Sequence, residues 1–118
     1  MKSKREFLFV LLAVLTGCLQ DEQAETGKEV AVHNNQNANS SISVTLLNSG
    51  EVVFEETYPI ESGKADESRS VSDPIDTVRV SVENGPTTEE GYNPPARCRS
   101  PSVIVQVKES EIIIRNGC

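Results

Sequence analysis

Apolar and polar residues alternate with a period of two through most of the chain after Val30, and this pattern predicts β-strands. The clearest case is residues 77–83, where Val78, Val80 and Val82 alternate with polar neighbours. Successive side chains of a strand point to opposite faces, so each such segment buries one face. The same period predicts further strands at residues 30–33, 41–47, 52–60, 103–108 and 112–116, with a weaker one at 68–71. No segment has the apolar stripe and end signals of a helix.

Turn-forming residues separate these strands. Asn-Ser-Gly at residues 48–50 joins two of them into a hairpin, and Asn-Gly-Pro at residues 84–86 ends a third. Six to eight short strands with such connections are typical of β-sandwiches. We therefore predict an all-β fold for residues 29–118: an antiparallel two-sheet sandwich of about 6–8 strands with immunoglobulin-like, Greek-key connections.

The last predicted hairpin has a register that the sequence itself suggests. A turn centred between Glu109 and Ser110 places apolar residues opposite apolar residues along both strands, which favours that pairing. The pairs are Val107 with Ile112 and Val105 with Ile114.

The amino-terminal residues depart from the strand pattern. Residues 7–15 are nine consecutive apolar residues behind a charged head. A membrane-spanning helix needs about 20 such residues, so this run fits the apolar part of a signal peptide. The sequence Leu15-Thr16-Gly17-Cys18 then resembles the lipobox of lipoproteins. That resemblance implies a signal helix in residues 1–17, and a cysteine that receives lipid and becomes the first mature residue. The alternative is an ordinary signal peptide with an incidental cysteine.

A polar tether follows the predicted lipidation site. Residues 20–28 lack large apolar groups, so residues 18–28 are expected to be a lipidated cysteine and a flexible connection to the domain. Two acyl chains anchor a protein stably, without a membrane-spanning helix. The predicted location is the extracytoplasmic face of the cell membrane, and the predicted membrane contact is through the lipid.

Charge and composition exclude some classes of binding partner. The chain has 118 residues, a net charge of −7 and only 4% aromatic residues. Residues 1–17 hold three of the 11 basic residues and one of the 18 acidic ones, so the remainder carries −9. Such a surface repels nucleic acid and anionic lipid headgroups. Acidic excess with few lysines fits either a salt-loving source or a mildly acidic secreted protein.

The body of the chain resembles small immunoglobulin-like or cupredoxin-like lipoprotein domains of salt-loving archaea. The residues that carry the resemblance are 30–34, 42–46, 51–54 and the closing hairpin that ends in Cys118. Such domains mostly have no assigned activity, so the resemblance implies a non-catalytic module.

Two cysteines remain if Cys18 carries lipid, and they allow one disulfide, Cys98 with Cys118. An exported domain lies where disulfides persist. The hairpin register places Cys118 opposite Pro101, three residues from Cys98, which is close enough for a bond. Two free thiols or two metal ligands are the alternatives.

Residues suited to catalysis or metal binding are few. His33 is the only histidine and Met1 the only methionine, whereas a blue-copper site needs two histidines and a cysteine. One histidine and two cysteines also fall short of a structural zinc site. His33 is the only conventional base, and no nucleophile motif surrounds a serine. We therefore expect no catalytic residue, metal, cofactor or small-molecule substrate.

The paired carboxylates are expected to be surface residues. Glu55 and Glu56 point to opposite faces of a strand, so they cannot act on one substrate together. The pairs at residues 66–67 and 89–90 lie in predicted loops. Asp73 and Asp76 could bind calcium, but the EF-hand spacing is absent.

Three loop segments offer candidate recognition features. Residues 84–92 (NGPTTEEGY) partly resemble the NPTTGY loop of chagasin-type cysteine-protease inhibitors, although Gly85 and residues 89–90 interrupt the match; the alternative is a strand end followed by a turn. Residues 92–96 (YNPPA) could form an extended polyproline segment offered to a partner; the alternative is an edge or a loop between the sheets. Asn39 begins an N-glycosylation pattern and is a possible glycosylation site.

The sequence thus predicts a membrane-anchored extracytoplasmic lipoprotein. Its domain is expected to be a non-catalytic β-sandwich module for binding or structural spacing at the cell surface, with a cell-surface protein as the possible partner. A loop-presenting protein inhibitor or adhesin-like domain is the alternative.

The predicted anchor can be tested by replacing the lipidated residue. Cys18→Ser should move the protein from the membrane fraction to the aqueous fraction, because the acyl chains are lost. Cell fractionation measures this. Equal aqueous partitioning of the wild type and the variant would contradict the anchor.

Overall fold

The computed structural model describes residues 27–109 and 111–118. The predicted signal peptide, Cys18 and most of the predicted tether lie outside the described residues. Within the described ranges, no helix is long and apolar enough to cross a membrane.

The described residues form eight strands and confirm the all-β prediction. The strands are β1 (Lys28–Asn34), β2 (Ser40–Asn48), β3 (Glu51–Ile60), β4 (Ala65–Val71), β5 (Thr77–Val82), β6 (Thr87–Gly91), β7 (Ser102–Lys108) and β8 (Glu111–Gly117). Seven of them were predicted; β4 begins three residues earlier than its weak period-two signal, and β6 was not predicted as a strand.

Two four-stranded sheets make the sandwich, with strand orders β4-β1-β7-β8 and β3-β2-β5-β6. Five of the six strand pairings are antiparallel, whereas β1 and β7 pair in parallel. The prediction of a purely antiparallel fold is wrong for that pair. Strands β1 and β7 are not joined by a hairpin, because the chain forms all four strands of the other sheet between them. A connection of that length permits parallel pairing.

The strand order also differs from that of an immunoglobulin constant domain. There the second strand lies between the first and the fifth. Here β2 lies between β3 and β5. What the two folds share is therefore the packing of two sheets.

One apolar core lies between the sheets and consists mainly of β-branched residues. Removing such a side chain from water contributes about 1.5–3 kcal/mol. The fully buried apolar residues come from the four inner strands: Val30, Val32, Ile42, Val44, Leu46, Val78, Val80, Val103, Val105 and Val107. They follow the period-two pattern that predicted them.

A β-bulge corrects the predicted facing of β3. Leu46 pairs with Phe54 and Leu47 pairs with Val52, so Val53 is an extra residue. An extra residue reverses the facing of the positions beyond it. A regular period of two predicts that Val52, Phe54, Tyr58 and Ile60 share the inward face. Val52 is instead 53% exposed, while Val53 and Phe54 pack against the core.

Strand β6 corrects the interpretation of residues 84–92 as a turn or an inhibitor-like loop. Only the residues between Val82 and Thr87 form the connection, closed by a hydrogen bond from Gly85 N to Val82 O (2.8 Å). Asn84 has a positive φ of 58°, which asparagine tolerates in tight turns. The strand itself, TTEEG, contains no large apolar residue and so gave no period-two signal.

The carboxy-terminal hairpin has the predicted register. Val107 lies opposite Ile112 and Val105 lies opposite Ile114. Cys98 and Cys118 are disulfide-bonded, with their Cα atoms 5.5 Å apart. The bond ties the end of β8 to the connection that leads into β7, which confirms the predicted pairing.

Removing the disulfide should destabilise the domain. The bond joins residues 20 positions apart, and closing such a loop stabilises a fold by roughly 3 kcal/mol. Cys98→Ala and Cys118→Ala should each lower the free energy of unfolding by about that amount, measured by denaturant titration. The double variant should be no worse than either single one, because both remove the same bond. Additive losses, or two titratable thiols in the native protein, would contradict the bond.

Candidate functional site

The two ends of the sandwich differ in what they carry. The base is the end where β1 begins and β8 ends, and it contains the disulfide. The tip is the opposite end, formed by the β1–β2, β3–β4, β5–β6 and β7–β8 connections. The tip is the candidate site because hydrogen bonds of the buried Asn34 and of its neighbour Asn35 hold three of these connections together.

Asn34, at the end of β1, is 0% exposed. Its Nδ2 donates to the carbonyl oxygens of Ala38 (3.0 Å) and Ile60 (2.8 Å). Its Oδ1 accepts from the backbone N (3.0 Å) and the side-chain Nε2 (3.0 Å) of Gln36. All four hydrogen-bonding positions of the amide are thus used, which offsets the cost of burying it.

The backbone around Asn34 links three connections. Asn34 N donates to Lys64 O (2.9 Å), and Gly63 N donates to Asn34 O (2.8 Å). Asn35 N donates to Val107 O (2.8 Å), at the end of β7. The β1–β2 loop is therefore bonded to the β3–β4 turn on one side and to the β7–β8 hairpin on the other.

Exposed side chains of the tip add further bonds between the loops. Asn39 Oδ1 accepts from Ser62 N (2.9 Å), and Ser62 Oγ donates to Gln36 O (2.6 Å). Asn37 N donates to Glu109 Oε2 (3.2 Å). These bonds connect the amide-rich sequence Asn35–Asn39 to the β3–β4 and β7–β8 connections.

A shallow cleft of about 400 Å³ lies on the tip beside this loop. Its lining residues are Asn39, Ser40, Ser41, Pro59, Ile60, Glu61 and Glu83. The polar groups there are amides, hydroxyls and two exposed carboxylates. Such a surface offers hydrogen bonds and negative charge to a polar or cationic group of a partner.

Asn39 lies at the edge of this cleft, and it is the predicted glycosylation residue. It is exposed, and its side-chain oxygen is bonded to Ser62 N. Glycosylation of Asn39 stays a prediction, and a glycan there would cover part of the cleft.

The other residues singled out in the sequence lie apart from the tip cleft. His33 Nε2 is 3.4 Å from Glu67 Oε2 on the outer face of the β1 sheet. Glu55 and Glu56 lie on opposite faces, as predicted: Glu55 accepts from Thr45 (3.5 Å), whereas Glu56 pairs with Arg69 (3.2 Å).

The remaining acidic pairs also make local contacts. Asp66 accepts from Ser68, and that bond holds the pKa of the Asp66 carboxyl below its usual value. Glu89 pairs with Arg79 across β5 and β6 (3.2 Å). Both pairs therefore lie on strands rather than in the predicted loops.

Asp76, proposed with Asp73 as a calcium ligand, accepts from Ser49 N (2.9 Å). This hydrogen bond lowers the pKa of the Asp76 carboxyl, and it joins two connections at the base. Among the described residues, no group of three or more His, Cys, Asp or Glu side chains is arranged to hold a metal ion.

The side of the sandwich between β3 and β4 contains a buried hydroxyl group whose lack of a hydrogen-bond partner the sequence did not reveal. Tyr58 is 2% exposed, and its hydroxyl has no hydrogen-bond partner among the described residues. Burial, followed by the nearby carboxylates of Asp66 and Glu56, raises the pKa of Tyr58 to about 12. The Glu56–Arg69 ion pair spans from one sheet to the other at this side.

No protein-family model matches the chain, and neither a curated protein nor a solved structure matches it significantly.

Removing the buried amide at the tip should destabilise the domain. Asn34→Ala leaves the carbonyls of Ala38 and Ile60 without their donor, which costs about 1–3 kcal/mol of unfolding free energy. The exposed neighbour is the control: Asn35→Ala should change stability by less than about 0.5 kcal/mol. Denaturant titration measures both, and equal losses would contradict the role assigned to Asn34.

The buried Tyr58 hydroxyl has no hydrogen-bond partner among the described residues, and it should make the free energy of unfolding fall at alkaline pH. The folded-state pKa of Tyr58, about 12, lies above the unfolded value of about 10. The contribution of the neutral Tyr58 hydroxyl to the free energy of unfolding is therefore fully present below about pH 10. As pH rises toward 12, the tyrosine ionises in the unfolded state but not in the folded one, and the free energy of unfolding falls by about 2–3 kcal/mol. Tyr58→Phe should reduce this loss without lowering stability at pH 7, as followed by denaturant titration across that range. An unchanged alkaline slope in the variant would show that the hydroxyl is not desolvated.

Proposed function

We propose that the protein is a membrane-anchored extracytoplasmic lipoprotein whose β-sandwich is a non-catalytic module that binds a cell-surface partner through its tip. The anchor rests on the sequence Leu15-Thr16-Gly17-Cys18 behind a nine-residue apolar run. The binding role rests on the loops that surround Asn34.

The direction of the chain supports presentation of the tip. Strand β1 begins at Lys28, at the base, and runs toward the tip. Nine residues separate Cys18 from Lys28, and they reach at most about 30 Å when fully extended. The base is thereby the end nearest to the proposed lipid, and the tip loops lie at the end remote from it.

The single observation that favours binding is the fixed conformation of an exposed polar loop. Binding costs less when the contacting segment is already ordered. The bonds to Ala38 and Gln36 use a fully buried amide to order a loop whose residues 35–39 are exposed or half-buried, and the bond to Ile60 joins that loop to the buried end of β3.

The loop-presenting inhibitor or adhesin-like domain stays the alternative. Residues 87–91 form β6, so an inhibitory loop of the chagasin type would have no projecting loop there. An adhesin or inhibitor built on this domain would use the tip loops instead.

The immunoglobulin-like or cupredoxin-like lipoprotein resemblance also stays a proposal. Two packed sheets and a carboxy-terminal hairpin closed by a disulfide support it, whereas the position of β2 differs from the immunoglobulin order.

A charge-matched pair of variants tests binding through the tip. The full lipoprotein is cross-linked to its neighbours in intact membranes and recovered. Glu61→Lys reverses a charge in the tip cleft, and Glu51→Lys makes the same change at the base. A partner that binds the tip should be recovered with the wild type and with Glu51→Lys but not with Glu61→Lys. Equal recovery with all three, or selective loss with Glu51→Lys, would contradict the proposal.

A further inference from the structure

The sandwich has four edge strands: β3, β4, β6 and β8. Exposed edges invite pairing with another chain, and proteins normally protect them with proline, bulges, charges or shortness. Strand β3 has Pro59 and a bulge, β4 is a run of mostly charged and hydroxyl residues, and β6 is five residues long with two glutamates.

Strand β8 has none of these protections along its middle. Its sequence is EIIIRNG, with three consecutive isoleucines. Ile112 and Ile114 pack against the core but are only partly buried, and Ile113 is partly exposed on the outer face. The strand pairs with β7, and no other strand is bonded to it among the described residues. The most apolar edge of the sandwich is therefore its unprotected one.

The residues of β8 are complementary to those of a second β8 strand. In an antiparallel pair centred on Ile113, Glu111 of each copy faces Arg115 of the other. Neither side chain forms an ion pair within the described part of the chain. The same register places Ile112 opposite Ile114 and Ile113 opposite itself, so apolar meets apolar.

We propose that two copies of this chain associate through β8, antiparallel and centred on Ile113. Such an interface is isologous, the commonest form in homodimers. It extends the β1 sheet across both copies and covers the exposed sides of Ile112 and Ile114. The two Glu111–Arg115 pairs fix the register, because opposite charges facing each other across strands stabilise a pair and like charges destabilise it.

The geometry is compatible with the proposed anchor but does not depend on it. Antiparallel pairing puts the two bases at opposite ends of the dimer. Two copies in one membrane would then lie with their strands along the membrane surface, which tethers of at most about 30 Å allow. Each tip would remain remote from the lipid of its own copy and exposed at one end of the dimer, beside the base of the other copy.

Disulfide trapping tests the register in the full chain. Residues facing each other across a pair have Cα atoms about 4.5–5.5 Å apart, within the range for a disulfide. Ile113→Cys should therefore give a covalent dimer when membranes from producing cells are mildly oxidised and run on a non-reducing gel. Gln106→Cys is the control, since Gln106 faces Ile113 from β7, one strand further from the dimer axis. Intact mass confirms in each variant that Cys98 and Cys118 stay bonded.

Charge reversal in the Ile113→Cys background tests self-complementarity. Glu111→Arg or Arg115→Glu alone places like charges opposite each other twice, and should reduce dimer trapping about tenfold. The two substitutions together restore opposite charges and should restore trapping. Trapping by Ile113→Cys no greater than by Gln106→Cys would overturn the proposal. So would indifference to the single reversals, or trapping of a different protein in place of a second copy.

Discussion

The core consists mainly of valine, isoleucine and leucine, with few aromatic residues. The rest of this structure depends on how the edges of that core are shielded from water. The fully buried apolar residues all come from β1, β2, β5 and β7, and each of these inner strands supplies two or three. A different interaction closes the core at each of its edges. The disulfide closes the base, Asn34 closes the tip, and Tyr58 with the Glu56–Arg69 pair closes the side between β3 and β4. The side at β8 carries half-buried isoleucines, and there we propose a second copy.

Closure at the tip also connects the fold to the proposed function. A fully buried amide is tolerated only because all four of its hydrogen bonds are made. Its partners lie on the β1–β2 loop and at the end of β3, so satisfying Asn34 also fixes the exposed loop. The same bonds that close the core thus order the surface that we propose binds a partner.

Local patterns were sufficient for most of the fold. The alternation at Val78, Val80 and Val82 predicted β5, and the pairing of Val107 with Ile112 predicted the closing hairpin and its disulfide. Features that depend on pairing between residues far apart in the chain could not be predicted from the sequence. The parallel β1–β7 pair joins segments far apart in the chain, and β6 has no apolar residue to signal a strand.

The same distinction applies to the candidate site. Asn34 is one of four asparagines in residues 34–39, and only the fold decides which of them is buried. The bulge at Val53 likewise arises from pairing with Leu46 and Leu47 rather than from a local signal. The most direct test of the central claim is native-state hydrogen exchange at the backbone amides of Asn35 and Gly63. We predict that both exchange nearly as slowly as the inner strands, because they bond to Val107 O and Asn34 O. Exchange at the rate of an unstructured loop would contradict the claim that Asn34 closes and orders the tip.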